Sequence, residues 1–135
     1  MSRIHHEQIA ALLPTAGNDT LTPVTTRWTY DTTEPYALTV AFATDRGRWV
    51  EWVFARDLLI DGMTEPSGDG DFRVAPDPDP ELLVLEIFAP SGSAAFTLER
   101  SDVSEFLALT LELVPAGTEG AHFDVDRLLA ELTAG

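Results

Sequence analysis

The side chains most suited to chemistry are carboxylates gathered between residues 69 and 81 of this 135-residue chain. They are Asp69, Asp71, Asp77, Asp79 and Glu81. Carboxylate oxygens are the ligands that Ca²⁺ prefers, but the spacing of an EF-hand loop, with its central glycine and distant glutamate, is absent. We therefore interpret these residues as solvated loop carboxylates and predict no metal site.

Other potential reactive groups have equally weak patterns. His5, His6 and His122 lack the i, i+4 spacing of a helical zinc pair. The sequence Gly68-Asp69-Gly70 begins like a dinucleotide-binding loop, but Arg73 occupies the third glycine position, so a turn is the better interpretation. No serine lies in a nucleophile elbow. We predict no catalytic and no cofactor-binding residue.

The composition excludes further classes of function. All eight basic residues are arginine, so the lysine of a Walker loop or of a pyridoxal Schiff base is missing. The absence of cysteine excludes thiol nucleophiles and cysteine-ligated zinc. The net charge of −15 disfavours contact with phosphate backbones and anionic lipids. Apolar runs are far shorter than the ~20 residues of a membrane span. We expect a cytoplasmic, non-enzymatic protein with no direct membrane insertion.

Alternating apolar and polar residues predict β-strands as far as residue 99. The predicted strands are residues 22–30, 36–43, 48–56, 72–74, 82–89 and 93–99. Residues 3–13 fit either a short helix or a further strand. The side chains predicted to face the core from the first three strands are Val24, Thr26, Trp28, Tyr30, Leu38, Val40, Phe42, Val50, Trp52 and Phe54.

The period becomes helical after residue 101. Asp102 is predicted to cap a helix with Glu105 reaching back to it, and Pro115 and Gly117 end that helix. Its apolar face comprises Val103, Phe106, Leu107, Thr110, Leu113 and Val114. A final helix is predicted from near Asp124, with Phe123 packing against Leu128. The pattern indicates one α+β domain over residues 1–135: an antiparallel sheet of five to seven strands with two C-terminal helices.

Two sets of apolar residues do not belong to the predicted core. Trp49 and Val53 point opposite to Trp52 and Phe54, which makes them candidates for an exposed partner-binding patch with Met63 nearby. The alternative is that a helix or a second subunit covers them. Leu109 and Leu111 lie on opposite flanks of the first C-terminal helix and widen its apolar arc to roughly 200°. We expect a homo-oligomer with one of these leucines at the interface.

An alternative function is binding of single-stranded nucleic acid by aromatic stacking. The candidate aromatic residues are Trp28, Tyr30, Trp49 and Trp52, and the candidate basic residues are Arg27, Arg46, Arg48, Arg56 and Arg73. Because 23 acidic residues oppose eight arginines, core packing is the better interpretation of Trp28 and Trp52.

Several segments resemble the SsgA-like family. The stretch VEWVFARDLLIDGMTEPSGDGDFRVAP, residues 50–76, is similar to the central signature of that family. Residues 30–36 resemble its early turn, and residues 106–110, 114–119 and 122–126 resemble its C-terminal pattern. The sequence of the central stretch and that of the His122-Phe123-Asp124 segment are more similar to the SsgB branch than to SsgA itself. The N-terminus and the acidic loop 77–81 match no family feature.

The resemblance implies a fold and a role that the residues alone do not give. Family members have a whirly-like fold, assemble as trimers and act with the tubulin-like protein FtsZ at division septa during sporulation. The implied role is to recruit FtsZ, to favour its polymerisation and to help tether its ring to the membrane, with an SsgA-like paralogue as a second partner.

Overall fold

The computed structural model of the protein describes residues 2–14, 20–68, 70–121, 129–130 and 132–133. Seven β-strands and two α-helices lie in this part of the chain. In chain order they are β1 (Arg3–Leu12), β2 (Thr22–Asp31), β3 (Ala37–Ala43), β4 (Trp49–Ala55), α1 (Arg56–Gly62), β5 (Phe72–Pro76), β6 (Leu82–Ala89), β7 (Gly92–Glu99) and α2 (Arg100–Leu113), followed by a 3₁₀ turn at Glu119–Ala121.

The strands form one antiparallel sheet in the order β4-β3-β2-β1-β7-β6-β5. β1 pairs with β2 along its whole length but with β7 only at Ala11 and Leu12, so the two halves of the sheet separate beyond that short contact. The sheet is curled: Phe54 of β4 stacks on Phe72 of β5 with ring centroids 4.2 Å apart. The two edge strands therefore approach each other at one end.

The core lies between the concave face of the sheet and α2. Trp28 and Tyr30 are fully buried, as are Leu38 and Val40 on the neighbouring strand. Phe106 of α2 packs against Trp28 with ring centroids 6.2 Å apart. Burial of one such large side chain stabilises the fold by about 1.5–3 kcal/mol. We call this covered side the inner face and the opposite side the outer face.

The alternation rule located the strands well. All six predicted strands are present, and the ambiguous residues 3–13 form β1. The α+β class and the strand number are confirmed. The prediction that Val50 lies in the core is wrong, because Val50 is 48% exposed. Its side chain lies on the inner face as predicted. It is exposed because β4 is an edge strand and α2 packs mainly over β7 and β1.

The helices differ more from expectation. α1 was not predicted, because its apolar residues form one short run, Leu58-Leu59-Ile60, without a helical period. α2 begins at Arg100, and Glu99 precedes it without a side-chain cap, so the predicted cap by Asp102 is wrong. The predicted final helix starts near Asp124, and this start, together with the predicted contact between Phe123 and Leu128, lies within residues 122–128, outside the described residues. Residues 129–130 and 132–133 are helical.

Candidate functional site

The outer face of β4 carries two exposed large apolar side chains. Trp49 is 39% exposed and Val53 is 67% exposed, on the side that the alternation predicts. Glu51 lies between them on the same face, and the strand register aligns it with Ala41 of β3. The one strand that pairs with β4, β3, presents only threonine and alanine on this face, so Trp49 and Val53 are the large apolar side chains there.

Arg27 of β2 contacts a residue of β1 and a residue of β4 on the outer face of the sheet. Its Nη2 lies 3.0 Å from Oε1 of Glu7 on β1, and its guanidinium carbon lies 4.3 Å from the ring centroid of Trp49 on β4. The small side chain of Ala41, which pairs with Arg27, leaves room for the arginine to reach over β3. A cation–π contact at an exposed site contributes about 0.5–1 kcal/mol. It also favours the indole orientation in which the ring faces the guanidinium.

Met63 does not add to this exposed surface. It follows the last residue of α1, is half-buried and packs against the hydrophobic core. Its carbonyl oxygen accepts a hydrogen bond of 2.6 Å from Nη1 of Arg100 at the start of α2. The structure therefore brings Trp49 and Val53 together on one strand and places Met63 in the packing of α1.

The predicted interface leucines have different environments. Leu109 is 41% exposed on α2, whereas Leu111 is half-buried and packs against the core cluster. The main stripe of α2 is buried as predicted, with Val103, Phe106, Leu107 and Thr110 covered by the sheet. Only the Leu109 flank of the helix presents a large apolar side chain to solvent among the described residues.

A buried charge cluster around Arg56 was missed by the sequence analysis. Arg56 opens α1 and is fully buried, and its Nη1 donates to the carbonyl oxygens of Thr110 at 3.1 Å and Val114 at 2.7 Å. Its Nη2 lies 3.3 Å from Oε2 of Glu119. Both carbonyls lie at the C-terminal end of α2, where the Thr110 oxygen also accepts the backbone N–H of Val114 at 2.9 Å, and Arg56 acts as an additional C-terminal cap there.

The electrostatics of this cluster follow from its geometry. Backbone hydrogen bonds and the Arg56 guanidinium hold the pKa of Glu119 below its usual value. Burial raises the pKa of Tyr30, whose ring lies 5.2 Å from the Arg56 guanidinium. The alternation did contain a signal, because Arg56 continues the inward series of Val50, Trp52 and Phe54. The arrangement joins α1 to the end of α2 and has a structural role.

The acidic loop is arranged as turns. The Asp77 carboxylate accepts a 2.9 Å hydrogen bond from the backbone N–H of Asp79, and the Asp79 carboxylate accepts one of 2.9 Å from that of Glu81. Asp69 lies outside the described residues. No group of three histidine or acidic side chains within the described ranges is arranged to hold a metal ion.

The histidines and arginines do not converge either. His5 contacts Thr29 on the outer face, and His6 packs beside Phe106 on the inner face, while His122 is outside the described residues. The five candidate arginines do not form one exposed basic surface, because Arg56 is buried and Arg27 is paired with Glu7. No described helix has both the length and the apolar character needed to cross a bilayer.

Comparison with known sequences gives a consistent group of relatives. A family model described as Streptomyces sporulation and cell division protein, SsgA, matches residues 24–119. The sporulation-specific cell division protein SsgB of Saccharopolyspora erythraea is 44% identical over 111 residues, covering 82% of this chain and 79% of that protein. SsgB of Streptomyces coelicolor is 40% identical over 114 residues, covering 83% of each chain.

Solved structures of such proteins have the same fold. An SsgA-like sporulation-specific cell division protein from Thermobifida fusca superimposes with a TM-score of 0.84 at 34% identity, covering 97% of this chain and 96% of that chain. A structure from a study of SsgB mutations and longitudinal cell division in Streptomyces coelicolor gives 0.82 at 35% identity, covering 90% and 96%. The matched region spans β2 to the 3₁₀ turn and includes both β4 and the Arg56 cluster. The chain therefore belongs to the SsgA family of Streptomyces sporulation and cell division proteins.

Proposed function

We propose that this protein acts without catalysis in sporulation-specific cell division, by binding FtsZ and helping to recruit it to septum sites. The observation that carries the proposal is the central stretch 50–76, which resembles the SsgA-like signature and lies within the segment matched by the family model. That stretch forms β4, α1 and β5 and contains Val53, whose side chain is largely exposed. Relatives over most of the chain are named for sporulation-specific cell division.

The outer face of β4 is the proposed contact surface. Trp49 and Val53 supply apolar area, and the Arg27 guanidinium holds the indole in place. Aromatic residues and arginine are enriched among the residues that contribute most to protein–protein affinity. Met63 supports this surface indirectly, since it packs α1 against the core directly after β4.

Filament sedimentation tests the proposal. We expect wild-type protein to pellet with purified FtsZ polymer, or to raise its mass, at near-physiological salt. Val53→Glu should lower the bound fraction, because it places a charge in the apolar contact. Leu21→Glu is the matched control, since Leu21, like Val53, is an exposed aliphatic residue, but it precedes β2 and lies outside β4. Neither co-pelleting nor a change in polymer mass for wild-type protein would contradict the proposal.

Assembly and location form the second part of the proposed role. We propose a homo-oligomer, a trimer as the resemblance implies, with the exposed Leu109 at or beside its interface. The protein acts in the cytoplasm at the septum, where it helps tether the FtsZ ring to the membrane together with an SsgA-like paralogue. The net charge of −15 is repelled by anionic lipid, so a partner must provide the membrane contact.

Binding of single-stranded nucleic acid has less support. Trp28 and Tyr30 are buried in the core, and Arg27 is paired with Glu7. An electrophoretic shift with single-stranded DNA that weakens with added salt would favour that alternative.

A further inference from the structure

β4 presents an unpaired backbone edge. Hydrogen bonds run from the N–H of Thr44 to the carbonyl of Arg48 and from the N–H of Arg56 to the carbonyl of Tyr36, both at 2.8 Å. In an antiparallel ladder, every second residue bonds to the partner strand. The even-numbered residues of β4 therefore bond to β3, and the N–H and C=O groups of Trp49, Glu51 and Val53 point to the open edge.

The other edge of the sheet is protected in a way that β4 is not. The centre of β5 is covered because Val74 exchanges two hydrogen bonds with Ser67, at 2.9 and 3.0 Å. β5 also ends in Pro76, which has no N–H to donate. No described residue forms a comparable bridge to the outer edge of β4.

The side chains of β4 give this edge little protection. Exposed edge strands are commonly blocked by lysine, proline or a bulge, since a bare edge is a template for another strand. β4 contains none of these, and Trp49, Val50 and Val53 are all exposed large apolar residues. Glu51 is its only charged residue.

We propose that β4 is a docking edge on which an extended segment of a partner protein adds as an eighth strand. The inference deepens the proposed function, on which it rests for the choice of surface. Main-chain hydrogen bonds to Trp49, Glu51 and Val53 would supply affinity, and the alternating side chains would supply specificity.

The position of Glu51 indicates the chemistry of the occupant. Two copies could pair antiparallel through their β4 edges, with the backbone groups of Trp49, Glu51 and Val53 all hydrogen-bonded. Trp49 of one copy would then oppose Val53 of the other, and Glu51 would oppose Glu51. Like charges directly opposite each other destabilise a strand pair, and each copy also carries a net charge of −15. A second copy is therefore a poor occupant. The complementary segment has a basic residue opposite Glu51 and apolar residues two positions to either side of it.

A synthetic strand peptide of alternating valine and threonine with a central arginine is the probe. We expect it to bind wild-type protein and a peptide with glutamate in place of the arginine to bind about fivefold more weakly. The preference should reverse with the Glu51→Arg variant. Failure of the arginine peptide to bind wild-type protein, or identical affinity of both peptides for both proteins, would overturn the inference.

Amide hydrogen exchange identifies the binding mode. The N–H groups of Trp49, Glu51 and Val53 should exchange rapidly in the free protein and slowly in the complex, whereas those of Val50 and Trp52 should be slow in both. Peptide binding that leaves the three odd-numbered amides unprotected would overturn strand addition. FtsZ sedimentation is decided separately: protected amides with the peptide but no FtsZ in the pellet would support the docking edge and contradict the FtsZ proposal.

Discussion

Arg56 is a fully buried charge at the junction of three segments of the chain. Removing a guanidinium from water costs several kcal/mol, and this cost must be offset by its partners. Two carbonyl oxygens at the end of α2 and the carboxylate of Glu119 provide that compensation. Nε and Nη2 of Arg56 make no hydrogen bond among the described residues, although Nη2 lies at ion-pair distance from Glu119, so the compensation is incomplete. The residue fixes where α1 meets α2 and therefore how β4 is held against the core.

Replacement of Arg56 by an apolar residue of similar length should destabilise the protein. Arg56→Met leaves the carbonyls of Thr110 and Val114 and the Glu119 carboxylate without their cation. We expect a loss of about 3 kcal/mol in the free energy of unfolding, measured by urea denaturation. Arg48→Met, at an exposed position, is the control and should change stability by less than about 0.5 kcal/mol. Equal midpoints for the two variants would show that Arg56 is not a structural cap.

At the scale of elements, the contact between α1 and β5 depends on a glycine. A Cβ atom on Gly62, the last residue of α1, would lie 2.7 Å from Cβ of Val74 in the centre of β5. That distance is shorter than van der Waals contact, so the helix could approach the strand this closely only without a side chain at position 62. Gly62 is followed by Met63, which packs against the hydrophobic core.

Gly62→Ala should therefore destabilise the protein although alanine favours helix. Overpacking in a core costs about 1–3 kcal/mol, which exceeds the gain of about 1 kcal/mol from helix propensity. Gly70→Ala is the matched control, since nothing lies within 4 Å of the added Cβ and its backbone is not left-handed. Thermal unfolding should show a lower Tm for Gly62→Ala and little change for Gly70→Ala. A raised Tm for Gly62→Ala would mean that α1 shifts away from β5 without cost.

Elements with a long, regular pattern could be predicted from the sequence, and those set by contacts across the chain could not. Residues 22–30 and 36–43 each alternate in sequence because one side of β2 and β3 faces the core, and the exposed positions of Trp49 and Val53 follow from the same rule. The edge position of β4 depends on strand order, which alternation does not encode. The carbonyl oxygens that accept hydrogen bonds from the Arg56 guanidinium lie 54 and 58 residues further along the chain. No local pattern around Arg56, apart from its inward position on the strand, could therefore predict them.

At the scale of the whole molecule, charge opposes assembly. The net charge of −15 acts against every contact between copies, while a single exposed leucine on α2 favours one. Burial of a leucine side chain stabilises a contact by about 1.5–3 kcal/mol per chain. Repulsion between like-charged surfaces acts over about 10 Å at 0.1 M salt and over about 3 Å at 1 M. The balance between the two therefore depends on ionic strength.

We expect the proposed oligomer to become more stable as salt is added. An interface formed by Leu109 contains an apolar contact that salt does not weaken, whereas the repulsion between the acidic chains falls as the ionic strength rises from about 0.05 M to about 0.5 M. Light scattering at fixed protein concentration should show the mass approaching that of a trimer over this range. Leu109→Glu should remain smaller at every salt concentration, because it replaces the apolar contact with a further negative charge. Leu111→Glu is a less selective variant, since Leu111 packs within its own chain and its replacement also lowers stability. A wild-type monomer throughout, or an oligomer that dissociates as salt is added, would show that the Leu109 flank of α2 does not hold the copies together.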